Sequence, residues 1–260
     1  MTGLRVERPD EGVARVVLDR PKRRNALDDD LLLRTLPGAL ADLGADESVR
    51  VVIVTGTDPD FCAGADLECS GLEQPSPVAS ERFMTASHRT PLLLRSMPKP
   101  TIAAVNGAAV GAGLGIALAC DIRLAGPRAR FIAPFLRMGL PPDFGTSYFL
   151  PQAVGASTAM ELFLTARPVG AEEAARLRLV SRVVEDVQAE ALELARVIAA
   201  NPAGAVAMTK RNVFGSLERG PEEAVLDHEV RSVAIALHGE EFAKMLAAWR
   251  AQIMGSGSRA

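Results

Sequence analysis

The sequence predicts an α/β fold with a helical C-terminal region, on three observations. Short β-branched runs alternate with helical-period segments through the first half, and strand signals nearly cease after residue 156. At 260 residues and 48% hydrophobic, the chain is large and apolar enough to cover both faces of a sheet.

Taken in order, residues 13–19 read as a strand, 28–43 as a helix with apolar residues at helical spacing, and 49–55 as a fully buried strand. A helix follows at 80–95, a strand at 100–105, a helix at 111–119 and a strand at 121–125, the alternation of a mostly parallel sheet with right-handed crossovers. Beyond residue 156, Gly and Pro punctuate helices at 156–165, 171–178, 186–200, 203–218, 221–237 and 239–252, with one short strand-like run at 179–184. The expected organisation is a core at 1–200, a helical region at 201–254 and a Gly-Ser tail at 255–260.

Composition narrows the functions. A net charge of -3, with cations scattered rather than striped, gives no footprint for nucleic acid. Three cysteines, Cys62, Cys69 and Cys120, lack CxxC or His-rich spacing, so neither a disulfide framework nor a metal site is expected, and a reducing cytoplasm is the expected compartment. Residues 1–8 are polar and charged, without the apolar stretch of a secretory signal. The uncharged run 101–120 is long enough to span a bilayer, but Asn106-Gly107 divides it into a short strand and a Gly/Ala helix, so no membrane partner is expected. The glycines at 111, 113 and 115 do not spell G-x-G-x-x-G, and no Gly-Lys-Ser/Thr follows.

Two small-residue turns carry the chemistry. Ala63-Gly64-Ala65-Asp66 and Asn106 through Gly113 each follow a strand-like run, where a strand is expected to hand over to a helix. Such turns point a free backbone N–H into a cleft without a side chain in the way, and two such donors make an oxyanion hole. Asp66 reads equally as a cap for a following helix, and Asp143 after two prolines as an Asx-turn or N-cap.

The ordered set Arg20-Pro21-Lys22-Arg23-Arg24-Asn25-Ala26-Leu27, Phe61-Cys62-Ala63-Gly64-Ala65-Asp66-Leu67, Pro98-Lys99-Pro100, Asn106-Gly107, Cys120-Asp121-Ile122-Arg123-Leu124-Ala125 and Gly139-Leu140-Pro141-Pro142-Asp143 resembles the crotonase (enoyl-CoA hydratase/isomerase) superfamily. The resemblance implies a spiral of ββα units, association as trimers or hexamers, and an acyl-CoA thioester as substrate; coenzyme A enters with that substrate and no separate cofactor is implied. It further implies that Ala65 and Ala112 supply the oxyanion-hole N–H groups. Lys22, Arg24, Ala26, Ala63, Asp66 and Leu67 would then line the nucleotide and pantetheine track. Ala112 in place of the more usual Gly leaves a backbone donor unchanged.

Departures from the family pattern point to the reaction. Hydratases of the superfamily use two glutamates, and the matching positions here are Gly115 and Phe135, so neither offers an acid or base for water addition. Asp143 matches the single catalytic carboxylate of Δ3,Δ2-enoyl-CoA isomerases, which implies an enoyl-CoA isomerase with Asp143 as base. It also matches the nucleophilic aspartate of 4-chlorobenzoyl-CoA dehalogenases, where His88 would match the base. Against that alternative, Phe135 replaces their tryptophan, and Ala65 and Ser87 replace aromatic ring-binding positions. A protein that binds acyl-CoA without catalysis is the third reading.

Overall fold

The computed structural model describes residues 3–68 and 74–216, together with the helical positions 233, 235, 240, 242 and 244. The remainder of the helices expected at 221–237 and 239–252, and the tail at 255–260, lie outside the described residues.

A six-stranded sheet forms the centre, in the order β1-β2-β3-β4-β6-β9. Its strands are β1 (Leu4–Asp10), β2 (Val13–Leu18), β3 (Val51–Gly56), β4 (Thr101–Val105), β6 (Ile122–Ala125) and β9 (Arg182–Val183). Only the β1–β2 hairpin is antiparallel; β2, β3, β4, β6 and β9 run parallel. A second sheet joins β5 (Ala108–Val110), β7 (Arg130–Ile132) and β8 (Val169–Gly170).

Every residue of β3 and β4 is buried, and their alternate side chains serve two cores. Val52, Val54, Ala103 and Val105 join the larger core, while Val51, Ile53, Ile102 and Ala104 face Val187, Ala191 and Ala195. Those three sit at i, i+4, i+8 on α8 (Val187–Ala199), one apolar stripe against the sheet. Each fully buried Val or Ile contributes about 1.5–3 kcal/mol by leaving water, which is why these strands are legible as uninterrupted apolar runs.

The first helix starts at Asp28, whose carboxylate accepts the Leu31 N–H at 2.9 Å. Its early turn, Leu31–Thr35, is a π-helix, with the Leu36 N–H reaching back to the Leu31 carbonyl, before it continues as α1 (Leu36–Ala45). Pro37 has no N–H and crowds the preceding turn, and a widened turn accommodates it. The helix expected at 80–95 divides into α2 (Pro77–Ser87) and α3 (Arg89–Ser96), with His88 at the break. Pro91 explains the division, since it cannot donate to the Ser87 carbonyl one turn earlier.

The uncharged run 101–120 folds as β4, β5 and α4 (Ala112–Ala119), with all of α4 buried. Among the described residues, no helix is long and apolar enough to cross a membrane. Next come α5 (Thr146–Val154), α6 (Ala156–Thr165) and α7 (Ala171–Arg176). The chain divides into two units, Met1–Ala199 and Ala200–Ala260, and the second contains α9 (Ala203–Ser216).

Candidate active site

The turns at 63–66 and 107–113 are zipped together by backbone. Phe61 and Cys62 both donate to the Ala108 carbonyl, at 3.1 and 2.9 Å, and Val110 donates to the Cys62 carbonyl at 2.9 Å. Gly64 permits this approach: at φ +93, any Cβ would stand 2.8 Å from the Val110 carbonyl oxygen and 3.5 Å from the Ala112 nitrogen. Ala65 and Ala112 consequently line the same cavity.

Ala112 opens α4 behind Gly111, so its N–H is one of the donors that a helix cannot satisfy internally. Ala65 differs from expectation. It lies in a bridge with Leu27 formed by Leu27 N–H on Gly64 and Asp66 N–H on Leu27, both 2.8 Å, rather than at a helix start. Neither the Ala65 nor the Ala112 N–H donates within the described backbone connections of these turns.

The cavity holds about 290 Å³ and is walled by Leu32, Phe83, Met84, Phe135, Met138, Leu140 and Phe144, with Ala63 and Leu67 at its lining as well. Asp143 is the one ionisable side chain among its described lining residues. Burial pushes its carboxyl above the ordinary carboxylate value.

The capping alternative for Asp143 does not hold. The N-cap of α5 is Gly145, and it is the Asp143 main-chain carbonyl that accepts the Thr146 N–H (2.9 Å) and hydroxyl (2.7 Å), leaving the carboxylate outside the cap.

Both positions that would hold the hydratase glutamates are filled. A Cβ on Gly115 would stand 2.5 Å from the Phe144 carbonyl oxygen and 3.0 Å from its ring, while Phe135 is a buried wall of the cavity. At Gly115 there is thus no room for a side chain, a feature invisible in the sequence because it depends on where Phe144 packs, while position 135 presents an apolar ring instead of a carboxylate.

The other expected residues separate. His88 is absent from the cavity lining, although its neighbour Ser87 is there. Its Nδ1 lies 2.6 Å from the Met84 carbonyl oxygen, and its Nε2 accepts the Phe144 N–H at 2.8 Å. Asp66 is buried, and its carboxylate meets Arg20 at 3.0 Å and Arg23 at 2.9 Å; the segment 69–73 that follows lies outside the described residues. Burial pushes this carboxyl up, but the bonds from Arg23, the Glu68 N–H and Arg20 together hold it below its ordinary value. Lys22 and Arg24 lie exposed on the adjoining loop, where Arg24 engages Asp60 with its Nε at 2.8 Å. Ala26 is buried under that loop, its carbonyl accepting from Arg20. Among the described residues, no cluster of three or more His, Cys, Asp or Glu could hold a metal ion.

Comparison with known proteins places this architecture. The pattern of the enoyl-CoA hydratase/isomerase family matches residues 8–250. The chain belongs to that family. Among relatives of this crotonase-superfamily chain is a protein named 4-chlorobenzoyl coenzyme A dehalogenase-1 from Arthrobacter sp., 38% identical over 255 residues that cover 96% of this chain and 91% of the relative. A probable enoyl-CoA hydratase of Mycobacterium tuberculosis is 41% identical over 234 residues, covering 86% of this chain and 81% of its own. A solved structure described as a monofunctional enoyl CoA isomerase from M. smegmatis superposes with a TM-score of 0.74 at 36% identity, over 87% of this chain and 99% of that one. The protein is therefore a crotonase-family acyl-CoA enzyme.

Proposed function

We propose that this enzyme is an enoyl-CoA isomerase that moves a double bond with one carboxylate, Asp143, as the proton carrier. The observation that carries the reading is Asp143 as the one ionisable group among the described lining residues of an apolar cavity that Ala65 and Ala112 also line, with Gly115 and Phe135 at the two glutamate positions. The Ala65 and Ala112 N–H groups would bind the thioester oxygen. Asp143 would take a proton from C2 of a 3-enoyl-CoA, leaving a dienolate whose negative charge rests on that oxygen. The carboxyl would then return a proton at C4, giving the conjugated 2-enoyl-CoA.

A carboxylate lifted above its usual value is the better base for this step, and each oxyanion donor is worth about 3–4 kcal/mol in the transition state. Lys22 and Arg24 would meet the nucleotide phosphates, Ala63 and Leu67 the pantetheine arm, and Ala26 and Asp66 would shape the loop beneath it. A homotrimer or hexamer working in the cytoplasm completes the proposal.

The dehalogenase reading draws support from the Arthrobacter relative and from the pairing of Asp143 with a histidine. It requires His88 to activate water. Both ring nitrogens are already engaged with main-chain groups, Nδ1 at the Met84 carbonyl and Nε2 at the Phe144 N–H, which favours the isomerase. A pure binding protein would gain nothing from a buried carboxylate that costs free energy to ionise.

The test is formation of conjugated 2-enoyl-CoA from 3-hexenoyl-CoA, with crotonyl-CoA hydration and 4-chlorobenzoyl-CoA turnover alongside. The expected result is turnover that falls by about 10²–10⁴ in Asp143→Asn. No turnover on 3-hexenoyl-CoA would end the aliphatic isomerase reading.

A further inference from the structure

We infer that His88 is a positioning residue that latches the Asp143 turn through the Phe144 amide as a neutral imidazole, rather than the water-activating base its dehalogenase likeness suggests. The inference rests on the reading of Asp143 as the proton carrier.

Phe144 has φ +50, a left-handed conformation that an aromatic residue adopts only under constraint, and Gly145 beyond it has φ +78. Something must hold so unfavourable a turn. On the far side of Asp143, Thr146 binds the Asp143 carbonyl twice. Facing α4, the Phe144 carbonyl packs where Gly115 lacks a Cβ. The remaining main-chain group of Phe144 is its N–H, and this donates to His88 Nε2 at 2.8 Å, while the two rings meet 5.4 Å apart.

The acceptor role fixes the protonation state. Nε2 can accept only when it carries no proton, and Nδ1, 2.6 Å from the Met84 carbonyl oxygen, must then be the donor. The helix break at His88 supplies the geometry: His88 is the C-cap of α2, its backbone N–H and its Nδ1–H both meeting the Met84 carbonyl one turn back, and its Nε2 is aimed across to the turn that carries Asp143. A histidine so anchored has no ring nitrogen left for water, and it is not among the described lining residues of the cavity.

Three variants separate a latch from a base. Gln places a side-chain oxygen near the Nε2 position and can accept the Phe144 N–H; Asn and Ala cannot reach it. For isomerisation of 3-hexenoyl-CoA, we expect His88→Ala and His88→Asn to lower kcat about tenfold or more with KM little changed, and His88→Gln to recover most of kcat. Hydrogen exchange of peptides spanning 139–149 should be faster in the Ala and Asn variants and close to wild type in the Gln variant. Equal loss of kcat in all three, with unchanged exchange, would overturn the latch and restore His88 as a base. Exchange needs no turnover, so a protein inactive on 3-hexenoyl-CoA still tests the latch: exchange that follows the Gln and Asn split supports it, and exchange indifferent to His88 refutes it.

Discussion

At the scale of single residues, the environment of Asp143 sets two opposed consequences. Burial raises its carboxyl above the ordinary carboxylate value. As a base it must be ionised, so kcat/KM falls as pH drops through that raised value, and the acid limb of the profile should stand above the ~3.9 of a free aspartate. Stability runs the other way. The folded protein holds this proton more tightly than the unfolded chain, so the contribution of Asp143 is most favourable below the unfolded value and is lost as pH rises through the folded one. Asp143→Asn should accordingly melt at a higher temperature than wild type near pH 7, by up to about 2 °C, with the gap closing towards pH 4. Calorimetry across that range checks it; a lower Tm for the variant at neutral pH would mean that the carboxylate has a stabilising partner. The role proposed for Asp143 came from the sequence only through family position. The engagement of His88 was not, because it depends on a main-chain amide fifty-six residues away.

Among the elements, fully buried strands were the easiest to read, since β3 and β4 are apolar on both faces. Strands β1, β5, β7 and β8 were missed. In β1 the residues Arg5, Val6 and Glu7 are all partly or fully exposed, and β5 is an alanine pair and a valine inside the expected small-residue turn. Their pairing is decided by neighbours distant in sequence rather than by local pattern. The single helix expected at 80–95 failed at Pro91, a residue whose effect falls one turn before it. The packing of α4 against the Asp143 turn makes a further prediction. Restoring a family glutamate by Gly115→Glu should not restore crotonyl-CoA hydration, because its Cβ already meets the Phe144 carbonyl. It should cost at least about 1–3 kcal/mol of stability through overpacking. Hydration appearing in a stably folded Gly115→Glu protein would show that Phe144 yields.

For the whole molecule, the α/β class and the pairing of two small-residue turns were readable from alternation and composition. The chain divides after Ala199, where α8 ends, beside the residue 200 at which the core was expected to stop. Sedimentation velocity of the intact chain should give a trimer or hexamer; a monomer that turns over acyl-CoA would refute that assembly. The unit Met1–Ala199 contains all the described residues lining the cavity, from Leu32 to Phe144.

The central claim is that this cavity transfers a proton and does not add water. Mass analysis of the products formed from 3-hexenoyl-CoA in D2O tests it most directly. The account predicts a 2-enoyl-CoA that is unlabelled or carries one deuterium, depending on whether the Asp143 proton exchanges before its return, and no adduct heavier by one D2O. A 3-hydroxyacyl-CoA formed as fast as the isomer would contradict it, since water would then be activated in a site with glycine and phenylalanine at the two glutamate positions.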